Sequence, residues 1–169
     1  MNNKYLIYAG LLFLFFLVHS SAVKVFQGSS FVPELLLLAV IIFAAMNSLP
    51  ETLWFSFGAG FLCEIFSAEF FGAHIFALLI CGITAYLATR NLTAQELAAP
   101  TAAFLVIGAT LLRPALVWVY QAGVSSLDLA TAIPVGVFLN GELFYTVLVN
   151  LAIFYLLRAG IRYFPALNK

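Results

Sequence analysis

Charge is what this sequence has least of. Of its 169 residues only 8% are Asp, Glu, Lys or Arg, seven basic against seven acidic. A water-soluble domain carries roughly a quarter charged residues, because its surface has to be polar. Fourteen charges cannot cover such a surface, so water is excluded as the solvent for most of the chain. The net charge is zero, which argues against nucleic acid as a partner. Cysteine is scarce too. Cys63 and Cys81 both sit in apolar runs and read as small buried side chains, and no Cys/His cluster offers a zinc or haem site. A Ser–His–Asp set, a pair of intramembrane carboxylates and a glycine-rich phosphate loop are all missing. His19 and His74 lie in different apolar runs with nothing adjacent to mark either as a base, so the sequence offers no enzyme.

What is present is apolar. Hydrophobic residues make up 64% of the chain, aromatic ones 16%, and the mean hydropathy is +1.11. One membrane crossing needs about 20 residues, so a chain of this length holds about six or seven. The runs fall at approximately residues 5–23, 32–46, 50–67, 70–89, 97–120 and 134–158. Backbone polar groups inside a bilayer must be satisfied within the segment, which makes these runs helices; the weak alternation of a membrane barrel is missing. The expected fold is therefore an all-α integral membrane protein, a single bundle of about six transmembrane helices. The first run also resembles a signal peptide, with Ser20 and Ala22 as small residues near a cleavage point, but an uncleaved anchor fits an otherwise membrane-embedded chain better.

Local signals set the turns. Pro33 suits the first turn of the second helix, and Glu34 puts a carboxylate at its positive end. Ser48 and Glu51 have capping-box spacing with Pro50 between them, predicting a tight hairpin into the third helix. Thr93 and Glu96 repeat that spacing before the fifth. Ser56, Gly60 and Glu64 share one face of the third helix, and Gly82 with Cys81 and Ala85 gives the fourth a small-residue face. Such faces let helices approach where lipid supplies no hydrophobic drive. Lys4, Arg90, Arg158, Arg162 and Lys169 fall on one side of a six-span topology and only Lys24 on the other, which puts both termini in the cytoplasm. The match to a glycosylation sequon at Asn91-Leu92-Thr93 then lies on the cytoplasmic side.

Glu34, Glu64, Arg113 and Glu142 are the ionisable groups that the apolar runs must accommodate, at a cost of at least about 2.5–3.5 kcal/mol each near mid-bilayer. Glu34 could sit at an interface. Arg113 needs a carboxylate partner or a route to the surface, and Glu64, at similar depth, is the expected partner. Glu142, Thr146 and Asn150 form a polar stripe at i, i+4 and i+8, which serves helix contact or, less simply, a substrate path. Asn140 points to a different face.

Several segments resemble one family. They are Phe31-Val32-Pro33-Glu34, Gly60-Phe61-Leu62-Cys63-Glu64, Phe71-Gly72-Ala73-His74, and Ala85-Tyr86-Leu87-Ala88-Thr89-Arg90, with Asn140-Gly141 later. The pattern is similar to MreD, the small membrane component of the bacterial cell-shape machinery. The likeness covers roughly residues 31–90 and, more loosely, 134–160; Glu64 stands where the family usually has Asp. It implies a non-enzymatic scaffold without cofactor in the bacterial inner membrane, beside MreC, connecting MreB filaments to RodA and penicillin-binding protein 2. Pro33, Glu34, Gly60, Glu64, Gly72, Arg113, Asn140, Gly141 and Glu142 are then the candidate contacts within the bundle or to partners. The family is also similar to the substrate-binding components of energy-coupling-factor vitamin transporters. That implies an alternative, a small-molecule-binding transporter subunit. The Ala-x-x-x-Ala docking feature those subunits often carry is absent here, since Phe13 follows Ala9 by four positions.

Overall fold

The computed structural model describes residues 3–25, 33–66, 71–90, 99–126 and 141–163. Six helices account for nearly all of them: α1 (Asn3–Val25), α2 (Leu35–Met46), α3 (Leu49–Phe66), α4 (Ala73–Arg90), α5 (Ala99–Ser125) and α6 (Gly141–Tyr163). Among the described residues, three helices are long and apolar enough to cross a membrane, over Tyr5–Lys24, Ala73–Arg90 and Ala102–Ser125; α2 is a shorter apolar helix.

The shortest helix is the centre. Every residue of α2 is apolar, and a helix apolar on all sides has no face to offer water. Leu36 through Ile41 are buried, and the other five helices all touch α2. α1 is the opposite case. It is equally free of charge between Tyr5 and Val23, yet only 6% of its span is buried, with Leu6, Ile7, Phe13, Leu14 and Val18 on the outside. Trp54, Phe66, Phe104 and Leu156 are each more than two-thirds exposed. An outer surface this apolar is stable only against lipid or protein, which is consistent with an α-helical membrane protein.

The capping signals act at the ends of α2 and α3. Ser48 is the residue before α3, and its backbone N–H donates to Glu51 Oε2 at 3.1 Å, the return half of a capping box. Asn47 closes α2 with its backbone N–H and Nδ2 on Phe43 O, both at 3.0 Å, while Tyr8 Oη donates to Asn47 Oδ1 at 2.8 Å and ties α1 to that turn. Phe43 stacks on Phe55 at 4.2 Å inside the hairpin, with Tyr8 edge-on to Phe43.

Two boundaries differ from the sequence expectation. Pro33 and Glu34 lie before α2, not in its first turn, because the Glu34 backbone N–H and carboxylate are both taken by other helices. α5 continues past Tyr120 to Ser125 with Pro114 inside it, where a loop from Gln121 was expected; Gln121 is buried, so tertiary contact extends the helix. The Asn91–Glu96 turn, the Thr93/Glu96 cap and the start of the sixth run at Pro134 lie outside the described residues.

Candidate functional site

α3 and α4 form the most extensive helix pair, and two glycines, Gly60 and Gly82, explain how close they come. A Cβ on Gly60 would stand 2.5 Å from Ile75 Cα and 3.1 Å from His74 O, so the two backbones nearly touch there. One turn earlier on α3, Ser56 faces Gly82, whose absent Cβ would overlap Ser56 Oγ. Gly72, at the α4 entrance, has φ of +106°, a conformation that residues other than glycine rarely adopt. Tyr120 Oη packs against its open face and donates to Phe71 O at 3.0 Å, pinning the start of α4 to α5.

This close approach puts Glu64 under the N-terminus of α4. Its Oε2 accepts the backbone N–H of His74 at 2.9 Å and of Ile75 at 3.3 Å. A carboxylate there satisfies two helix-terminal donors that have no partner within α4 and meets the positive end of the dipole. Glu64 is 4% exposed and its Oε1 has no hydrogen-bond partner.

The expected pairing of Arg113 with Glu64 is corrected here. Arg113 Nη1 bonds Glu34 Oε1 at 2.5 Å, and Nη2 lies 3.3 Å from His74 Nδ1. Glu64 is committed to the α4 backbone, and Glu34, just ahead of α2, is the carboxylate left to neutralise the guanidinium. Both side chains are about one-sixth exposed, at 15% and 17%, so the pair is mostly removed from solvent. The Glu34 backbone N–H donates to Asn150 Oδ1 at 2.9 Å, and Asn150 Nδ2 donates to Thr110 Oγ1 at 3.1 Å. Asn150 is fully buried, and the i+8 member of the polar stripe thus joins α6 to α2 and α5.

His19 brings α1 into the same cluster. It lies within electrostatic reach of Arg113 and His74. Its Nδ1, Glu34 Oε2 and Arg113 Nε are buried without a partner, as Glu64 Oε1 is. Cys63 is half-buried and feels the charges of Arg113, Glu34 and Glu64. The cluster thus draws residues from five helices and from the segment just ahead of α2. Among the described residues, no group of three or more His, Cys, Asp or Glu could hold a metal ion.

Of the candidate residues, Pro33, Glu34, Gly60, Glu64, Gly72 and Arg113 meet in this cluster or in the α3–α4 junction beside it. Asn140 lies outside the described residues, and for Gly141 and Glu142 the structure gives only the helical backbone. Sequence reasoning passed over His19, His74, Thr110 and Tyr120 as site residues. A buried arginine implies several acceptors nearby, but nothing in the linear order says which helices supply them. No family model, curated protein or solved structure matches the chain.

Proposed function

We propose that this chain is a non-enzymatic, MreD-like scaffold of the bacterial cell-shape machinery. In this reading it crosses the cytoplasmic membrane six times with both termini inside. It sits beside MreC and links MreB filaments to RodA and penicillin-binding protein 2. The observation that supports it is spatial. The segments carrying the resemblance, Pro33-Glu34, Gly60 to Glu64 and Phe71 to His74, are far apart in sequence yet meet at one junction through Glu64–His74 and, by way of Arg113, Glu34–His74. Residues that make one structural unit are those a shared architecture would retain together. Glu34, Glu64 and Arg113 each bridge separate helical segments, as suits a scaffold, and the His74 imidazole faces a guanidinium.

The buried polar cluster favours a second reading, a small-molecule-binding transporter subunit, because polar groups gathered inside a bundle are also how a solute is held. Affinity purification of the tagged chain from native membranes in mild detergent separates the two. Co-purification of MreC with RodA or penicillin-binding protein 2 is expected. Recovery of ATPase subunits with a transmembrane coupling protein would replace the scaffold by the transporter. Replacing Glu64 by Ala is expected to reduce MreC recovery more than membrane abundance; equal loss of both would reduce Glu64 to a folding role.

A further inference from the structure

α1 and α3 run side by side in the same direction. Tyr8 of α1 bonds Asn47 just ahead of α3, and further on a Cβ at Gly58 would stand 2.7 Å from Leu12 Cδ2. Each helix turns one stripe toward the other. Tyr5, Tyr8, Ala9 and Leu12 fall at i, i+3, i+4 and i+7 on α1, and Glu51, Trp54, Phe55 and Gly58 repeat that spacing on α3. Facing stripes of this kind normally interlock along their length. These two meet at Leu12 and Gly58 and part toward the helix starts. Between them lies a cleft of about 420 Å³, lined by the four residues of α1 and the first three of α3.

Polarity changes along this cleft. Its deep end, at Ala9, Leu12 and Phe55, is apolar. Its mouth holds Tyr5, Glu51 and Trp54 beside the turn into α3, with Trp54 72% and Tyr5 58% exposed. Tyr and Trp at the ends of membrane helices mark the boundary of lipid and water. A bilayer lipid has the same gradient in the same direction, its head at that boundary and its chains toward mid-bilayer. Tyr5 to Leu12 spans about 10 Å along the helix, which accommodates the upper part of one acyl chain. Charge selects the head. Among the residues lining the cleft only Glu51 is charged, so the mouth repels an anionic head and attracts a cation. Exposed faces of Trp and Tyr attract an ammonium through the ring quadrupole. The Ser48 N–H on Glu51 Oε2, at 3.1 Å, fixes the carboxylate in place. A carboxylate accepts several hydrogen bonds at once, so this cap is compatible with a further donor. A primary ammonium has N–H bonds to give it; a quaternary one has none.

We propose that the cleft between α1 and α3 binds a phospholipid whose headgroup ends in a primary ammonium. The ammonium sits among Tyr5, Glu51 and Trp54, and one acyl chain runs toward Leu12. This goes beyond the scaffold reading and does not rest on it.

Tryptophan quenching by brominated lipid tests the site, because Trp54 is one of only two tryptophans and Trp118→Phe leaves it alone. The full chain is reconstituted in equimolar phosphatidylethanolamine, phosphatidylcholine and phosphatidylglycerol, with one of the three brominated on its acyl chains in each sample. The ethanolamine lipid is expected to be preferred at Trp54 over the glycerol lipid by about tenfold, and over the choline lipid by less. Glu51→Gln keeps the capping-box bond to Ser48, since Gln serves there as well as Glu, and removes the charge. It is expected to abolish the preference. Ala9→Leu fills the deep end at unchanged charge and is expected to abolish it too, so misfolding of one variant leaves the other. Equal quenching by all three lipids, stronger quenching by the glycerol lipid, or a preference unchanged in every folded variant overturns the proposal. Choline equal to ethanolamine overturns the primary-ammonium assignment. Quenching that disappears as the protein-to-lipid ratio rises puts a second copy of the chain in the cleft, which also overturns it. MreC recovery by affinity purification is a separate readout, so failure here leaves the scaffold reading standing.

Discussion

Substituting Gly60 by Ala places a methyl carbon 2.5 Å from Ile75 Cα, 3.0 Å from Ile75 N and 3.1 Å from His74 O. Carbon atoms pack comfortably at about 3.5–4.0 Å, so α3 and α4 must part by about 1 Å at this point. No rotamer change relieves the clash, because all three obstructing atoms belong to the backbone. Overpacking of this kind costs about 1–3 kcal/mol. The retreat also pulls the His74 and Ile75 N–H groups from Glu64 Oε2, now 2.9 and 3.3 Å away, beyond hydrogen-bond range. Loss of a helix cap adds about 1 kcal/mol. The expected destabilisation is therefore about 2–4 kcal/mol, or a fall in Tm of about 6–12 °C for a chain of this size. Thermal unfolding in detergent, followed by fluorescence-detected size exclusion at one fixed heating rate, measures it. Gly108→Ala is the control. A Cβ there meets nothing, so the helix gains up to about 1 kcal/mol in propensity and Tm stays level or rises. An unchanged Tm in Gly60→Ala, or an equal fall in both, would refute the close-contact argument.

Other outcomes follow from the same contacts. Breaking the Glu34–Arg113 pair from either side, by Glu34→Gln or Arg113→Gln, should destabilise by about 3–5 kcal/mol, and the double variant should lose clearly less than the sum, as read from a thermal double-mutant cycle. Additive losses would mean that the pair is not coupled. Gly82→Ala drives a methyl into Ser56 Oγ, whereas Ser56→Ala removes an oxygen that has no hydrogen-bond partner. The first should lower Tm, the second should be near neutral, and the double should recover most of the loss; no recovery would locate the clash elsewhere. For the six-span topology, a membrane-impermeant maleimide applied to intact spheroplasts should label Lys24→Cys and leave Arg90→Cys unlabelled, with Cys63 and Cys81 replaced by Ala. The reverse pattern would invert the orientation.

The legible part of this protein was the part governed by local and averaged physics. Fourteen charges in 169 residues pointed to a surface that is largely apolar, and the structure shows one. Apolar runs separated by Pro, Gly, Ser and Asn determined six helices, and the Ser48–Glu51 spacing determined the cap that starts α3. The small-residue face of Ser56, Gly60 and Glu64 was visible as a helical period, since three- and four-residue spacing is a property of the helix itself.

What the tertiary structure alone decided was partnership. Depth in the sequence suggested Glu64 for Arg113, but the period of one helix cannot say how it is rotated against another. The backbone contact at Gly60 settles it by bringing Glu64 onto the α4 N–H groups, leaving Arg113 to Glu34 across a separation of 79 residues. The same holds for α1 and α2, both uncharged and apolar through their middles. One is almost wholly outside and the other the centre of the bundle, because hydropathy measures the preference to leave water and is indifferent to whether lipid or protein takes its place.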